Sequence, residues 1–210
     1  FDIQPITNYV ESCIKSVGEE ALIVIGKQGG YNTIPRPNFK DQYINLPYHF
    51  YENIEIVPNI NTIQNELSDY VNKNLEICID DFKPFEPLGF EIERGNVNSN
   101  TIIGNDDVSF QVDFPLNIKK GSDVNNIPEF IVKINQMPIR TIQKTNEEIV
   151  ELLYNDPTSI CLGCLYDIGV ENDLYFDISR YINDTMFITI ISFNSSITEV
   201  YNYTFAAEYI

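Results

Sequence analysis

The first part of the chain has hydrophobic residues every three or four positions, which is typical of an amphipathic helix. This spacing extends over residues 2 to 30 and places the charged side chains on the opposite face. Pro5 suits the first helical turn, and Gly29-Gly30 is a typical helix end. The same spacing predicts a second helix that begins near Asn59 to Asn61 and ends before Pro84.

Residues 31 to 58 show neither the helical spacing nor the alternation typical of a strand, which predicts a long connection between these helices. The segment is interrupted by prolines, and a connection of this length is often functional or packs over another part of the fold. Its middle is rich in aromatic residues, which makes it a candidate ligand-binding loop. The candidate residues are Tyr43, Tyr48, His49 and Tyr51.

Beyond residue 88 the period changes to two, which indicates β-strands. The alternation is clearest from Val108 to Ile118 and returns from Phe130 to Ile134. Two shorter strands are predicted near Phe90 to Ile92 and Thr101 to Ile103. The final part of the chain predicts three more strands, which are Leu174 to Tyr181, Met186 to Phe193 and Val200 to Tyr209.

Two helices interrupt this series of strands. Thr145 and Glu148 have capping-box spacing and predict a helix that ends at Asn155-Asp156-Pro157, and a shorter helix follows over 158 to 170. The order predicts an α+β fold in which N-terminal helices pack on a mainly antiparallel sheet, with a helical insertion before a C-terminal meander. We expect a single domain over 1–210, with a helical layer and long loop in 1–87 and the sheet in 88–210.

Composition narrows the classes of partner. The 210 residues carry a formal charge of -18, from 31 acidic and 13 basic side chains, which disfavours nucleic acid or an anionic membrane as a partner. Every apolar run is shorter than the roughly 18 to 20 residues that cross a bilayer, so no transmembrane segment is expected within the chain. The start at Phe1 suggests that a signal or anchor segment precedes it in the precursor.

The four cysteines indicate an oxidising compartment. Cys13 and Cys78 lie on the apolar faces of the two N-terminal helices, and a disulfide between them would stabilise the fold by roughly 4 kcal/mol on the chain-entropy estimate. The alternative is two free buried thiols. We favour the disulfide.

The pair Cys161 and Cys164 has three interpretations. A closed zinc site needs four ligands, and the chain has no second CxxC motif to supply them. For a thiol-disulfide oxidoreductase, a helix capped by Thr158 or Ser159 would place Cys161 in its first turn, where the helix dipole lowers the pKa of a thiol. A thioredoxin-like site follows a strand, whereas here a helix precedes the motif. We therefore favour a structural disulfide or two reduced cysteines, and we keep the redox site as an alternative.

Other residues offer little catalytic chemistry. His49 is the only histidine, and no nucleophile motif accompanies it, so packing among aromatic side chains is the expected role. Acidic clusters have the oxygen chemistry for calcium but lack EF-hand spacing, and we expect solvated turns. We predict no catalytic residue, no metal and no cofactor. Asn183, Asn194 and Asn202 each begin an Asn-x-Ser/Thr sequence and are candidate glycosylation sites.

Several short segments carry a resemblance to a known family. They are Val10-Glu11-Ser12-Cys13, Gly26-Lys27-Gln28-Gly29-Gly30-Tyr31, Leu88-Gly89-Phe90 and Cys161-Leu162-Gly163-Cys164. Together they resemble an uncharacterised family of archaeal cell-surface proteins, in which a hydrophobic N-terminal segment precedes an ectodomain of this kind. The resemblance implies an extracytoplasmic protein that is anchored to the membrane in its precursor, and it brings no activity with it.

The leading functional hypothesis is a non-enzymatic cell-surface or envelope protein, either an interaction module or a subunit of a surface assembly such as a filament. Its partners would be other surface proteins or copies of itself, and the terminal strand Val200 to Tyr209 would extend a partner's sheet. Two alternatives are an extracytoplasmic thiol-disulfide oxidoreductase that uses Cys161 and Cys164, and a glycan- or peptide-binding module that uses the aromatic loop.

Overall fold

A computed structural model describes residues 1–182 and 184–209. The glycosylation candidate Asn183 lies outside the described residues. Within them, the fold is α+β, as the periodicity predicts, with four α-helices and ten strands in two mainly antiparallel sheets. The helices are α1 (Gln4–Lys27), α2 (Ile60–Ile79), α3 (Ile139–Asn155) and α4 (Leu162–Asn172).

Both N-terminal helices form where their periodicity predicts them. Helix α1 ends at two glycines, and Gly30 has a φ of 93° that an L side chain rarely adopts. A Cβ on Gly30 would also lie only 2.7 Å from the hydroxyl of Tyr203. Helix α2 starts at Asn59, whose side chain accepts a hydrogen bond from the backbone N–H of Thr62 at 2.9 Å. A 3-10 segment, Asp80–Leu88, follows it.

The first sheet combines strands from residues 38–55 with strands from residues 175–208. Its strands are β1 (Asn38–Lys40), β2 (Asn45–Tyr51), β3 (Ile54–Glu55), β8 (Tyr175–Arg180), β9 (Thr185–Ser192) and β10 (Tyr201–Glu208). The main order is β1-β2-β10-β9-β8, with β3 paired to β2. Only the pairing of β2 with β10 is parallel among these described strands. Strand β10 therefore lies in the interior of the sheet, and β8 lies at its edge.

The second sheet is built around one long strand. Its strands are β4 (Glu91–Arg94), β5 (Asn98–Ile103), β6 (Asp107–Lys120) and β7 (Asp123–Asn135). Strand β7 pairs with β6 over nearly its full length, and β4 and β5 pair with successive parts of β6. The even positions of β6 from Val108 to Ile118 are buried, as the alternation predicts.

Helix α1 links the two sheets through the hydrophobic core. The ring of Phe110 on β6 occupies the space beside Gly18, and the hydroxyl of Tyr201 on β10 donates a hydrogen bond to the carbonyl of Leu22 at 2.8 Å. Cys13 of α1 also forms a disulfide with Cys78 of α2. Buried residues from α1, α2 and both sheets belong to one contiguous cluster.

Two predictions about local structure were wrong, and one predicted strand has a different place in its sheet than expected. The connection 31 to 58 contains β1, β2 and β3, because β2 pairs with a strand at the other end of the chain. Helix α3 begins at Ile139 rather than Thr145, and Thr145 is buried within it. The strand predicted at Val200 to Tyr209 is present as β10, but it lies between β9, with which it pairs along its length, and β2, with which it pairs at Ala206 and Ala207, so it is not the edge strand of the sheet.

Candidate functional site

The start of α4 carries the second disulfide, which joins Cys161 and Cys164. Cys161 is the residue that caps α4, and its Sγ accepts a hydrogen bond from the backbone N–H of Cys164 at 3.1 Å. Cys161 is exposed and Cys164 is half-buried. The predicted caps, Thr158 and Ser159, do not occupy this position.

Asp156 explains why those two residues lie outside the helix. Its carboxylate accepts hydrogen bonds from the hydroxyls of Thr158 at 2.7 Å and Ser159 at 2.6 Å. These bonds, that of Ser159 first, lower the pKa of Asp156 below its usual value. The side chains close a short turn after α3, and the chain continues to Cys161 before α4 begins.

Helix α4 presents apolar side chains to solvent. Leu162, Tyr166 and Val170 recur every four residues on one side of the helix, and their exposed fractions are 67%, 72% and 66%. The opposite side buries Leu165. A surface helix of a globular protein usually has a polar outer face, so this side of α4 is a candidate contact surface.

Strand β8 continues this apolar surface. Tyr175 on β8 is 57% exposed, and its ring contacts the exposed ring of Phe193 edge-on at 5.3 Å between centroids. Among the described strands, β8 pairs only with β9, so its other edge leaves backbone N–H and C=O groups unpaired in the sheet. We call the exposed side chains Leu162, Tyr166, Val170 and Tyr175, together with the free edge of β8, the α4–β8 surface.

A shallow cavity of about 500 Å³ lies within the α4–β8 surface. Apolar side chains from both elements line it, together with the carboxylate-bearing Asp173. Helix α4 and its end carry Asp167, Glu171 and Asp173 and no Lys or Arg, and the basic residue of β8 is Arg180 at its end, where the guanidinium lies over the ring of Tyr209. The surface is therefore apolar at its centre and acidic at its margin.

His49 lies in the interior and not in a binding loop. Its Nε2 is 3.0 Å from the carbonyl oxygen of Gly29, which can only accept, so Nε2 carries the proton. Nδ1 then accepts a hydrogen bond from the side-chain amide of Asn146 at 2.9 Å. The ring stacks on Phe205 at 4.5 Å between centroids. Burial lowers the pKa of His49 to about 4, so the imidazole is neutral near pH 7.

The other aromatic candidates do not form one exposed site. Tyr48 is buried in β2, and its hydroxyl shares a hydrogen bond with that of Thr185 at 2.7 Å. Tyr51 is half-buried against Tyr48, with 4.8 Å between ring centroids. Tyr43 is 87% exposed and lies before β2. Tyr48, His49 and Tyr51 are therefore part of strand β2 and do not form one exposed loop with Tyr43.

The remaining sequence candidates are distributed over the surface. Asn194 and Asn202 are exposed, and the amide of Asn194 donates a hydrogen bond to Asp173 at 2.5 Å. Within residues 1–182 and 184–209, no group of three or more His, Cys, Asp or Glu side chains could hold a metal ion. In the same part of the chain, no helix has the length and apolarity that a membrane span requires.

The sequence reasoning missed the α4–β8 surface. A signal was present, because Leu162, Leu165, Tyr166, Ile168 and Val170 place apolar residues on more than one side of a short helix. What the periodicity could not show is which side is covered. Comparison of the chain with protein-family models, with curated proteins and with solved structures gave no match. The resemblance to archaeal surface proteins therefore stays a prediction.

Proposed function

We propose that this protein is a non-enzymatic cell-surface interaction module that binds an extended segment of another surface protein along the α4–β8 surface. The observation that carries the proposal is the row of Leu162, Tyr166 and Val170, each about two-thirds exposed, beside the free edge of β8. Apolar side chains in such a row cost free energy in water, and covering them with a partner recovers roughly 25 cal/mol per Å² of apolar area.

The geometry favours an extended polypeptide as the occupant. A segment that adds to β8 would satisfy the unpaired backbone groups of this edge, as in strand-addition complexes. Its alternate side chains would lie on the apolar side chains of α4. Asp167, Glu171 and Asp173 at the margin favour a segment with Lys or Arg at its ends.

The compartment agrees with such a role. Two disulfides are present, and disulfides form and persist in oxidising surroundings outside the cytosol. The resemblance to archaeal surface proteins, with an anchor in the precursor, adds the more specific location at the cell surface. Glycans at the exposed Asn194 and Asn202 would be compatible with this location.

A peptide titration followed by amide NMR tests the proposal. The probe is an alternating Val-Thr peptide of about seven residues with Lys at both ends. We expect shifts at residues of β8 and α4 and loss of binding by about tenfold or more in Tyr166→Asp, because a carboxylate then replaces a central apolar contact. The matched control is Tyr154→Asp, which changes a tyrosine of α3 that is 55% exposed and lies outside the surface.

Two results would overturn the proposal. One is equal binding to a peptide in which proline replaces alternate residues, because such a peptide cannot pair along a strand. The other is a dimer by light scattering at high concentration that Tyr166→Asp converts to a monomer. That outcome would assign the surface to a second copy of this chain instead of a separate protein.

A further inference from the structure

The α4–β8 surface ends at a reactive covalent group, the disulfide between Cys161 and Cys164. We propose that this disulfide undergoes thiol-disulfide exchange with a pair of cysteine thiols on the polypeptide bound at the surface. The inference rests on the proposed function, and it names the chemistry of the partner as an extended dithiol segment. A disulfide that only stabilises the fold does not have to be exposed, whereas Cys161 is exposed and directly precedes Leu162 of the apolar row.

Access distinguishes the two sulfur atoms. Cys161 is exposed, whereas Cys164 is half-buried. A thiolate has to approach the sulfur that it attacks, so exchange begins at Sγ of Cys161 and releases Cys164. The other disulfide has no exposed cysteine, because Cys13 is only 4% exposed and Cys78 is half-buried against the core.

The local backbone also prepares Cys161 to carry negative charge after reduction. The N–H of Cys164 already donates a hydrogen bond to Sγ of Cys161 at 3.1 Å. Cys161 caps α4, where the first backbone N–H groups of a helix favour an anion. The same donor therefore stabilises the thiolate that the exchange leaves on Cys161.

Opening this bond leaves the rest of the fold intact. Its cysteines are three positions apart, so the bond encloses almost no chain, whereas the disulfide between α1 and α2 spans 65 positions. Helix α4 keeps its contact with the core through the buried Leu165. Reduction of Cys161 and Cys164 is therefore a local event.

The apolar row on α4 has the length needed to place a cysteine of the bound segment beside Cys161. Leu162 directly follows Cys161, and Val170 lies eight positions further along α4, about 12 Å at the rise of a helix. An extended segment of about four residues spans the same distance. A segment seated on Tyr166 and Val170 therefore brings a cysteine at its end to Sγ of Cys161.

The exchange balances within the two molecules. One thiolate of the partner attacks Sγ of Cys161, the bond between Cys161 and Cys164 breaks, and Cys164 leaves as a thiolate that takes up a proton. The second thiolate of the partner then attacks the sulfur of the partner's first cysteine in the mixed disulfide, which forms the partner's disulfide and releases Cys161 as a thiolate. The partner dithiol loses two electrons and two protons. Cys161 and Cys164 gain the two electrons, Cys164 takes up one proton, and the other proton goes to solvent while Cys161 stays a thiolate. No other oxidant is consumed, and each chain reacts once.

A quenched reaction followed by mass spectrometry tests the inference. The probe is the Lys-flanked Val-Thr peptide extended by Cys-Gly-Gly-Cys. One version carries the extension at the N-terminus and the other carries it at the C-terminus. We expect one peptide disulfide per chain, with Cys161 and Cys164 alkylated and the disulfide between Cys13 and Cys78 retained. Reaction should be about tenfold or more faster than with glutathione at equal thiol concentration, because docking raises the effective concentration of the thiol.

Variants separate docking from chemistry. Cys164→Ser should form a mixed disulfide on Cys161 with the disulfide-linked dimer of a single-cysteine peptide, in which Ser replaces the second cysteine, because neither chain then has a second thiolate to resolve it. Cys161→Ser should form much less of the mixed disulfide, because Cys164 is half-buried. Tyr166→Asp should slow the peptide reaction to the glutathione rate. Tyr154→Asp should change neither rate.

Three results would overturn the inference. They are a bond between Cys161 and Cys164 that stays oxidised with the dithiol peptide, equal reactivity of the two disulfides, and peptide rates that match glutathione in every variant. A serine version of the peptide separates this failure from failure of the proposed function. If the serine peptide binds and the cysteine peptide does not exchange, only the inference fails; if the serine peptide does not bind, the proposed function fails.

Discussion

The disulfide between α1 and α2 and the disulfide at the start of α4 differ in burial and in the chain that they enclose. The first lies in the core and joins cysteines 65 positions apart, and the second lies at the surface and joins cysteines three positions apart. Closing a long loop restricts the unfolded chain much more than closing a short one. The bond between α1 and α2 should therefore contribute more to the free energy of unfolding than the bond at the start of α4.

The side chains near the two disulfides also differ in burial and polarity. Near α1, polar groups such as His49, Asn146 and the hydroxyl of Tyr201 are buried and hydrogen-bonded. On α4, apolar groups such as Tyr166 are exposed to solvent. Buried polar groups that have partners specify the packing of a core, whereas exposed apolar groups leave an interface to be completed.

Removal of each disulfide should give the largest difference between the regions. Replacing Cys13 and Cys78 together by Ala should lower the free energy of unfolding by about 4 kcal/mol, because 65 positions of chain are released. The corresponding change of Cys161 and Cys164 should lower it by about 2 kcal/mol or less. Urea unfolding of both double variants measures the difference, and equal losses would contradict the division.

Acid should destabilise the buried region through His49. Its pKa is about 4 when folded against an ordinary value of 6.5, so below pH 6.5 the unfolded chain binds a proton that the folded chain does not. Stability therefore falls as the pH falls from 6.5 to 4, by about 3 kcal/mol from this group.

Comparison with His49→Gln isolates the imidazole. Urea unfolding across this pH range should show a weaker loss of stability in the variant, because His49 is the only histidine and the carboxylates are common to both proteins. Parallel stability curves from pH 6.5 to 4 would show that His49 is not the source.

A matched pair of glycine substitutions compares packing in the two regions. A Cβ on Gly26 in α1 would lie 2.6 Å from the carbonyl oxygen of Asn202 and 2.8 Å from the hydroxyl of Tyr201, so Gly26→Ala should destabilise by about 2 kcal/mol. Gly163 in α4 has no atom within 4 Å of the Cβ position, and Gly163→Ala should be neutral or stabilise by about 0.5 kcal/mol. Thermal unfolding of both variants provides the measurement, and destabilisation by Gly163→Ala would argue against an open surface there.

Removal of one hydroxyl should give the smallest effect. Tyr201→Phe deletes the hydrogen bond to the carbonyl of Leu22 and leaves a buried acceptor, which should cost about 1 kcal/mol. Tyr166→Phe changes an exposed ring and should leave stability within about 0.5 kcal/mol. If Tyr166→Phe proved the more harmful by urea unfolding, the ring would have a structural role.

Periodicity predicted those elements whose two faces differ. Helices α1 and α2 and strand β6 each bury one face, so their patterns appear in the sequence. Strand β2 was missed because it is buried on both faces, includes Pro47 and pairs with β10 about 150 residues later. The start of α3 was missed because Gln143 and Asn146 are buried polar residues, which a binary pattern assigns to the surface.

Periodicity and composition were enough to predict the α+β class, most of the helices and strands, and an oxidising compartment from the four cysteines. These features are local, because they depend on periodicity, turn residues and composition. What required the folded molecule was that β2 pairs with β10, that the partners of His49 are Asn146 and Phe205, and that one face of α4 remains uncovered. Each of these depends on which distant segment covers a residue, and burial by distant segments leaves no periodic pattern along the chain.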